Sequence, residues 1–135
     1  MRFARHNPTG LNVQWPWSDL VVTGLKTIET RGYPLPSRLA GVPLALVETR
    51  NGPARVVAIV RFSHSVRYAT RREWLADRRR HLVPPGDPLY GWTPGKPLYG
   101  WIVESVAPLR APCPTDSRGI VYRNVPDSPC LKRVR

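Results

Sequence analysis

The chain has 135 residues, 41% of them hydrophobic, with 21 lysines and arginines against nine acidic residues and a formal net charge of +12. That length supports one domain with a real core and is too short for two, and no apolar run approaches the roughly 20 residues that a membrane-crossing helix needs. So large an excess of cations excludes a neutral surface and makes polyanions the natural partners, because each phosphate met by Arg or Lys releases condensed counterions; the alternative is a basic surface that serves solubility alone.

Residues 1–10 show no periodic pattern and read as a loose lead-in. Met1-Arg2-Phe3-Ala4-Arg5 is basic with no apolar stretch behind it, so the expected location is cytoplasmic. Leu11 to Gln14 reads as a strand, and Trp15 to Val22 as a short amphipathic helix with Ser18 or Asp19 capping its first turn and Gly24 ending it. Lys26 then leaves a helix end. Thr27 to Arg31 is rich in β-branched residues, and a period of two puts Thr27, Glu29 and Arg31 on one face, Ile28 and Thr30 on the other. Two readings stay open for Lys26, Glu29 and Arg31: charges facing a shared pocket, or a helix-dipole partner beside an ordinary surface ion pair.

Pro34 and Pro36 break the stretch Gly32 to Arg38, which is expected to loop over the cleft and bring Tyr33 and Arg38 to a ligand. Pro43 to Thr49 reads as a buried strand, Asn51-Gly52 as a turn, and Arg55 to Phe62 as the second arm of an antiparallel hairpin, which Ser63 to Tyr68 extends or bulges. Thr70-Arg71-Arg72-Glu73 matches a capping box. In the helix that follows, Trp74, Leu75 and Leu82 share a stripe, Arg71, Arg72, Arg78, Arg79 and Arg80 cover the other sides, and Pro84-Pro85 closes it. Those arginines form either a track for a phosphate backbone or a solvated face.

Pro88-Leu89-Tyr90-Gly91-Trp92 recurs as Pro97-Leu98-Tyr99-Gly100-Trp101. One copy belongs to a late strand running to Leu109, the other to a loop whose Tyr90 and Trp92 either stack on a base or pack against the body. Arg110 to Ser117 is expected to be a loop, Gly119 to Val125 the last strand, and residues 126–135 a basic tail carrying Lys132, Arg133 and Arg135. Cys113 and Cys130 lack metal-site spacing. They read as free thiols in a reducing cytoplasm, with a disulfide tying the tail to the body as the alternative. His64 and His81 read as structural or surface residues rather than a catalytic pair.

Gln14, Pro16 and Trp17, followed by Gly24-x-Lys26-x-x-Glu29-x-Arg31, resemble the signature of the ASCH family, a relative of the PUA domains. Tyr99-Gly100-Trp101-Ile102-Val103-Glu104 resembles the family's late strand, and Arg118-Gly119-Ile120-Val121-Tyr122 its closing glycine-led strand. The resemblance spans residues 11–125 as one domain. It implies a mixed α+β fold, a small PUA-like β-barrel of about five to six strands with two or three helices at its ends, and a cleft lined by Lys26, Glu29 and Arg31. It also implies RNA or DNA binding, or, as in a few small members, a ribonuclease or an amidohydrolase acting on acylated cytosine nucleosides. For the amidohydrolases the pattern places the base on Lys26 and a nucleophilic threonine where this sequence has Glu29, which removes the nucleophile.

The combined expectation is nucleic-acid binding, RNA favoured over DNA, or binding of a modified nucleoside. The ligand would meet Lys26, Glu29 and Arg31, with Trp15 and Trp17 stacking, Tyr33 and Arg118 at the rim, and Arg71, Arg72, Arg78, Arg79 and Arg80 on phosphates. The first alternative is a hydrolase on the same cleft, either ribonuclease or acylcytidine amidohydrolase, with Lys26 as base, Glu29 orienting water and Thr27 replacing the missing threonine. The second is a basic protein-interaction module. No cofactor, metal or membrane is expected, and the chain is expected to act as a monomer or weak dimer.

Overall fold

The aliphatic residues 44–47, with Val56, Ala58, Ile59 and Val60, are buried, and the molecule is built around them. The structure is a computed structural model that describes residues 9–50, 52–115 and 122–124. Residues 1–8 of the lead-in, Asn51, Arg118, most of the expected last strand, the tail and Cys130 lie outside the described residues, while Thr9 and Gly10, expected in the lead-in, already pair as the start of the first strand. In chain order the elements are β1 (Thr9–Gln14), α1 (Trp17–Val22), β2 (Ile28–Arg31), a single 3-10 turn (Ser37–Leu39), β3 (Leu44–Arg50), β4 (Gly52–Arg67), α2 (Arg71–Ala76), α3 (Arg78–His81), β5 (Tyr99–Pro114) and β6 (Tyr122–Asn124).

The six strands form one mixed sheet in the order β2-β5-β4-β3-β1-β6. Among the described residues only β1 and β3 run parallel. On β3, Leu44 and Leu46 enter one apolar cluster with Leu11, Val60, Phe62 and Trp101, while Ala45 and Val47 enter a second with Val56, Ile59 and Leu109. Burial of both faces is why this strand is an unbroken apolar run rather than an alternating one. A third cluster of Tyr68, Trp74 and Val83 seats α2 and α3 beside the sheet.

The sheet curls strongly. The long strands β4 and β5 pair with three register shifts, and bulges of this kind bend a strand and increase its twist. The curl brings β2 round to β1 although β5, β4 and β3 lie between them in the sheet: Arg31 Nη2 on β2 donates to the Asn12 carbonyl on β1 at 2.8 Å. Among the described residues no backbone pairing joins β2 to β1 or β6, so the architecture is an open, curled sheet, and closure into a barrel is not seen.

Several local expectations change. Ser18 does not cap α1; it is buried inside the helix, donates to Glu48 Oε2 on β3 at 2.8 Å, and so pins the helix to the sheet. Glu48 in turn accepts from Arg55. Gly24 does end the α1 turn, at φ +82°, a conformation that favours glycine, and the Lys26 N–H reaches back to the Leu20 carbonyl at 2.9 Å. Thr70 caps the helix as read, its Oγ1 accepting from the Glu73 N–H at 3.1 Å, while Glu73 Oε2 accepts from the Ala69 N–H at 3.2 Å; the basic helix then splits at Asp77 into α2 and α3 and stops at Leu82, which is left-handed at φ 61°. Residues 63–67 extend β4.

Arg110 to Pro114 is strand, not loop: Cys113 pairs with Val56 and Pro114 with Arg55 at the far end of the β4–β5 ladder. Pro108 falls next to the register shift between Val56 and Ala58, and Pro114 is the final residue of the strand; sheets tolerate a missing donor at bulges and strand ends. Cys113 is disulfide-bonded rather than a free thiol. Among the described residues no helix is long and apolar enough to cross a membrane.

Candidate ligand cavity at the open seam

Where β2 approaches β1 without pairing, a cavity of about 230 Å³ remains, lined by Asn12, Val13, Gln14, Trp17, Lys26, Glu29, Thr30, Arg31, Thr49, Val83 and Tyr90. The Lys-Glu-Arg motif is therefore a shared lining and not a surface ion pair. Two adjoining pieces of chain place the three charges. Lys26 leaves the turn after α1, Glu29 and Arg31 sit on β2, and the roof comes from Trp17 on α1 and from Tyr90 in the loop between α3 and β5.

Lys26 is only 1% exposed. Its Nζ donates to the His81 carbonyl at the end of α3 and lies 5.0 Å from the centroid of the Trp17 ring, a cation–π contact. Burial lowers its pKa from the ordinary lysine value; Glu29 works in the opposite direction and Arg31 adds to the lowering. Desolvation is the largest of the three effects.

Glu29 is 7% exposed. Its Oε1 accepts from the Thr30 N–H at 3.1 Å, and its Oε2 is buried with no hydrogen-bond partner in the protein. Arg31 spends Nη2 on the Asn12 carbonyl and lies over the Trp101 ring at 5.7 Å, while its buried Nε also has no partner. Glu29 and Arg31 thus bring an unspent acceptor and an unspent donor to the cavity lining. Leaving such groups unsatisfied costs about 1–3 kcal/mol each, and more when charged.

His81 supports the site from behind. It is fully buried, its ring stacked on Trp74 with centroids 4.9 Å apart. Nδ1 accepts from the Val83 N–H at 2.9 Å, so the proton sits on Nε2, which faces the Trp74 carbonyl at 2.7 Å. Burial lowers its pKa and holds the ring neutral; the Trp74 carbonyl opposes this, and Lys26 reinforces it. The expectation of a structural histidine holds, with the addition that its carbonyl anchors Lys26.

Tyr90 comes from the first of the two repeated pentapeptides. Asp87 Oδ1 accepts from the Leu89 and Tyr90 N–H groups at 2.9 and 2.7 Å, a tight turn that throws the ring across the seam. There it packs edge-on to Trp17, with centroids 5.7 Å apart, and donates its hydroxyl to Gln14 Oε1. Burial, then the Asp87 and Glu29 carboxylates, raise its pKa, against Arg31.

The structure sorts the remaining candidates. Trp17 lines the cavity. Trp15 lies in an adjoining hollow with Arg50. Thr27 is exposed and outside the cavity, because the regular pleat begins only at Ile28 and its backbone is tied to Arg80 and Val103; Thr30, assigned by alternation to the opposite face, lines the cavity instead. Tyr33 packs edge-on to Trp101, and Leu35 and Leu39 bury themselves in the core, so the Gly32–Arg38 stretch is tucked against the sheet and does not cover the cleft. The loop that does cover it is the one bearing Tyr90. Arg71, Arg72, Arg78, Arg79 and Arg80 are all exposed on α2 and α3. Asn12, Thr49 and Val83 had no local sequence signal, since tertiary contact alone brings them to the seam.

This geometry defines a class: a mixed α+β domain that curls one sheet around a core and leaves a charged cavity at the seam. Solved structures place it more narrowly. The crystal structure of an ASCH protein from Zymomonas mobilis matches with a TM-score of 0.65 at 17% identity, over 79% of this chain and 73% of that one. A Ser-to-Ala and a Tyr-to-Phe mutant of the same protein match with TM-scores of 0.63 and 0.65, both at 16% identity, over 84% and 82% of this chain and 77% and 76% of theirs. The chain has the ASCH-domain fold. No family model and no curated protein matches the sequence.

Proposed function

We propose that the seam cavity takes a single base from a nucleic-acid strand, RNA in preference to DNA, or the same base in a modified nucleoside. The observation that carries this reading is the pairing of unspent groups, Glu29 Oε2 as acceptor and Arg31 Nε as donor, in a lining that also holds the aromatic rings of Trp17 and Tyr90. A base edge offers an exocyclic amine beside a ring nitrogen or carbonyl, which complements an acceptor next to a donor, and its flat face suits aromatic walls. The volume of about 230 Å³ lies below the ~300–1,000 Å³ of pockets for drug-sized ligands and suits one base rather than a whole oligonucleotide. The helices, of six, six and four residues, are too short to serve as groove-reading helices, which favours an unpaired strand. In this reading the curled sheet works as a PUA-like barrel open at the β2–β1 seam, and the net charge of +12 gathers the strand to it.

The test is Glu29→Gln. Gln keeps the size but presents an amide, so affinity for the preferred ribonucleotide should fall about tenfold or more, as expected for one buried hydrogen bond to a charged group. Unchanged affinity in a folded variant removes the reading.

A hydrolase on the same cavity is the second reading, supported by the lowered pKa of Lys26, since a neutral amine is a competent base. Thr27 is no longer a candidate nucleophile for it; water oriented by Glu29 or the Thr30 hydroxyl would have to serve. Incubation with N-acylcytidine and with RNA, alongside Lys26→Ala, decides: turnover lost in the variant supports an enzyme, and no product from either substrate leaves binding alone.

A further inference from the structure

We propose that the hollow next to the cavity, floored by Trp15 and Arg50, is a second nucleotide subsite, so that the protein grips at least two successive nucleotides of a strand. This rests on the base-binding reading of the main cavity. Gln14 and Thr49 are the last rung of the parallel β1–β3 ladder, and Trp15 and Arg50 are the residues that follow on each strand. The Trp15 N–H donates to the Thr49 carbonyl at 2.9 Å, which carries the pairing one step further and holds the two side chains together. The Arg50 guanidinium lies over the Trp15 ring, 4.2 Å from its centroid.

Gln14 and Thr49 also line the main cavity, so the two hollows meet across them. The second is about 390 Å³ and is bordered by Gln14, Trp15, Thr49 and Arg50. Trp15 is 43% exposed there, costly for an indole with only a local packing role. The nearby carboxylate, Glu48, is committed to Arg55 and Ser18. A guanidinium stacked on an indole keeps its edge donors free to meet a phosphate in two-point fashion, and the stacked pair presents a flat surface to a base. The occupant that satisfies both is the nucleotide adjoining the one whose base enters the cavity: its base stacks on the Trp15–Arg50 pair, and the connecting phosphate meets Arg50.

The experiment measures affinity of the intact chain for each of the four ribonucleoside 5′-monophosphates and for the matching homodinucleotides at one fixed low salt concentration. The dinucleotide with the preferred base should bind about tenfold or more tightly than its monophosphate, the expectation for one added stacking contact. Trp15→Ala should abolish that gain, so that the variant binds the dinucleotide no more tightly than it binds the monophosphate, while Trp15→Phe should keep most of the gain. Arg50→Gln should reduce the gain in part. A wild-type dinucleotide no tighter than its monophosphate, or an equal gain in Trp15→Ala, overturns the subsite and leaves the cavity reading standing. Failure of every monophosphate and dinucleotide to bind overturns both.

Discussion

At the scale of single residues, Lys26 is the side chain whose chemistry depends most on its surroundings. Burial strips the water that stabilises an ammonium, and the helix-end carbonyl of His81 and the Trp17 face replace it only in part. The folded-state pKa lies below the ordinary 10.5, whereas the unfolded chain titrates near that value. Between the two the unfolded chain binds more protons, so stability rises with pH through that window, from the folded-state pKa up to about 10.5. Lys26→Met removes the titrating group and should flatten this rise. Urea midpoints taken in steps across the alkaline range check it, and a slope of equal size in both proteins would contradict the burial effect.

Among the elements, the loop bearing Tyr90 does most to complete the site. Gly91 makes that loop possible: a Cβ there would lie 2.4 Å from the Asp87 carbonyl oxygen, which accepts the Gly91 N–H at 3.1 Å. Gly91→Ala should therefore open the turn and displace Tyr90 from Gln14 and Trp17. Because the turn is partly exposed, stability should fall modestly, by about 1–3 kcal/mol for an overpacked site, while ribonucleotide affinity falls as well. Thermal unfolding and binding measured on one preparation test this, and full affinity in the variant would show that Tyr90 is not part of the roof. The same loop marks the limit of what the sequence discloses. Lys26, Glu29 and Arg31 were legible because six residues of chain hold all three, and the β3–β4 hairpin and the Thr70 cap were legible because their signals are local. Tyr90 was readable only as one of two repeated aromatics, since its choice between core and cavity is made by Asp87 and by the distant Gln14. Pro112 and Pro114 suggested a break, because sequence does not show that an irregular stretch of the ladder and a strand end make their missing donors harmless. Ser18 was misread as a cap because its partner, Glu48, lies 30 residues away.

For the molecule as a whole, the question is where the charge of +12 acts. Arg71, Arg72, Arg78 and Arg79 stand exposed on α2 and α3, and α3 abuts the start of β2, where the Thr27 N–H donates to the Arg80 carbonyl. Arg80 itself is paired with Asp77 at 3.4 Å. If these arginines guide a strand toward the seam, they act on phosphates without reading bases, and each contact contributes a salt-dependent term of about 0.7 to the slope of log K against log salt for a single strand. The double variants Arg71→Ala/Arg72→Ala and Arg78→Ala/Arg79→Ala should each lower the slope for a single-stranded RNA by up to about 1.4, two phosphates at about 0.7 each. They should weaken all sequences alike and leave monophosphate affinity unchanged, which separates them from the cavity residues. Slopes equal to wild type would assign the arginines to a solvated face, and a wild-type affinity for RNA indifferent to salt would point away from a polyanion and toward a basic surface for protein partners.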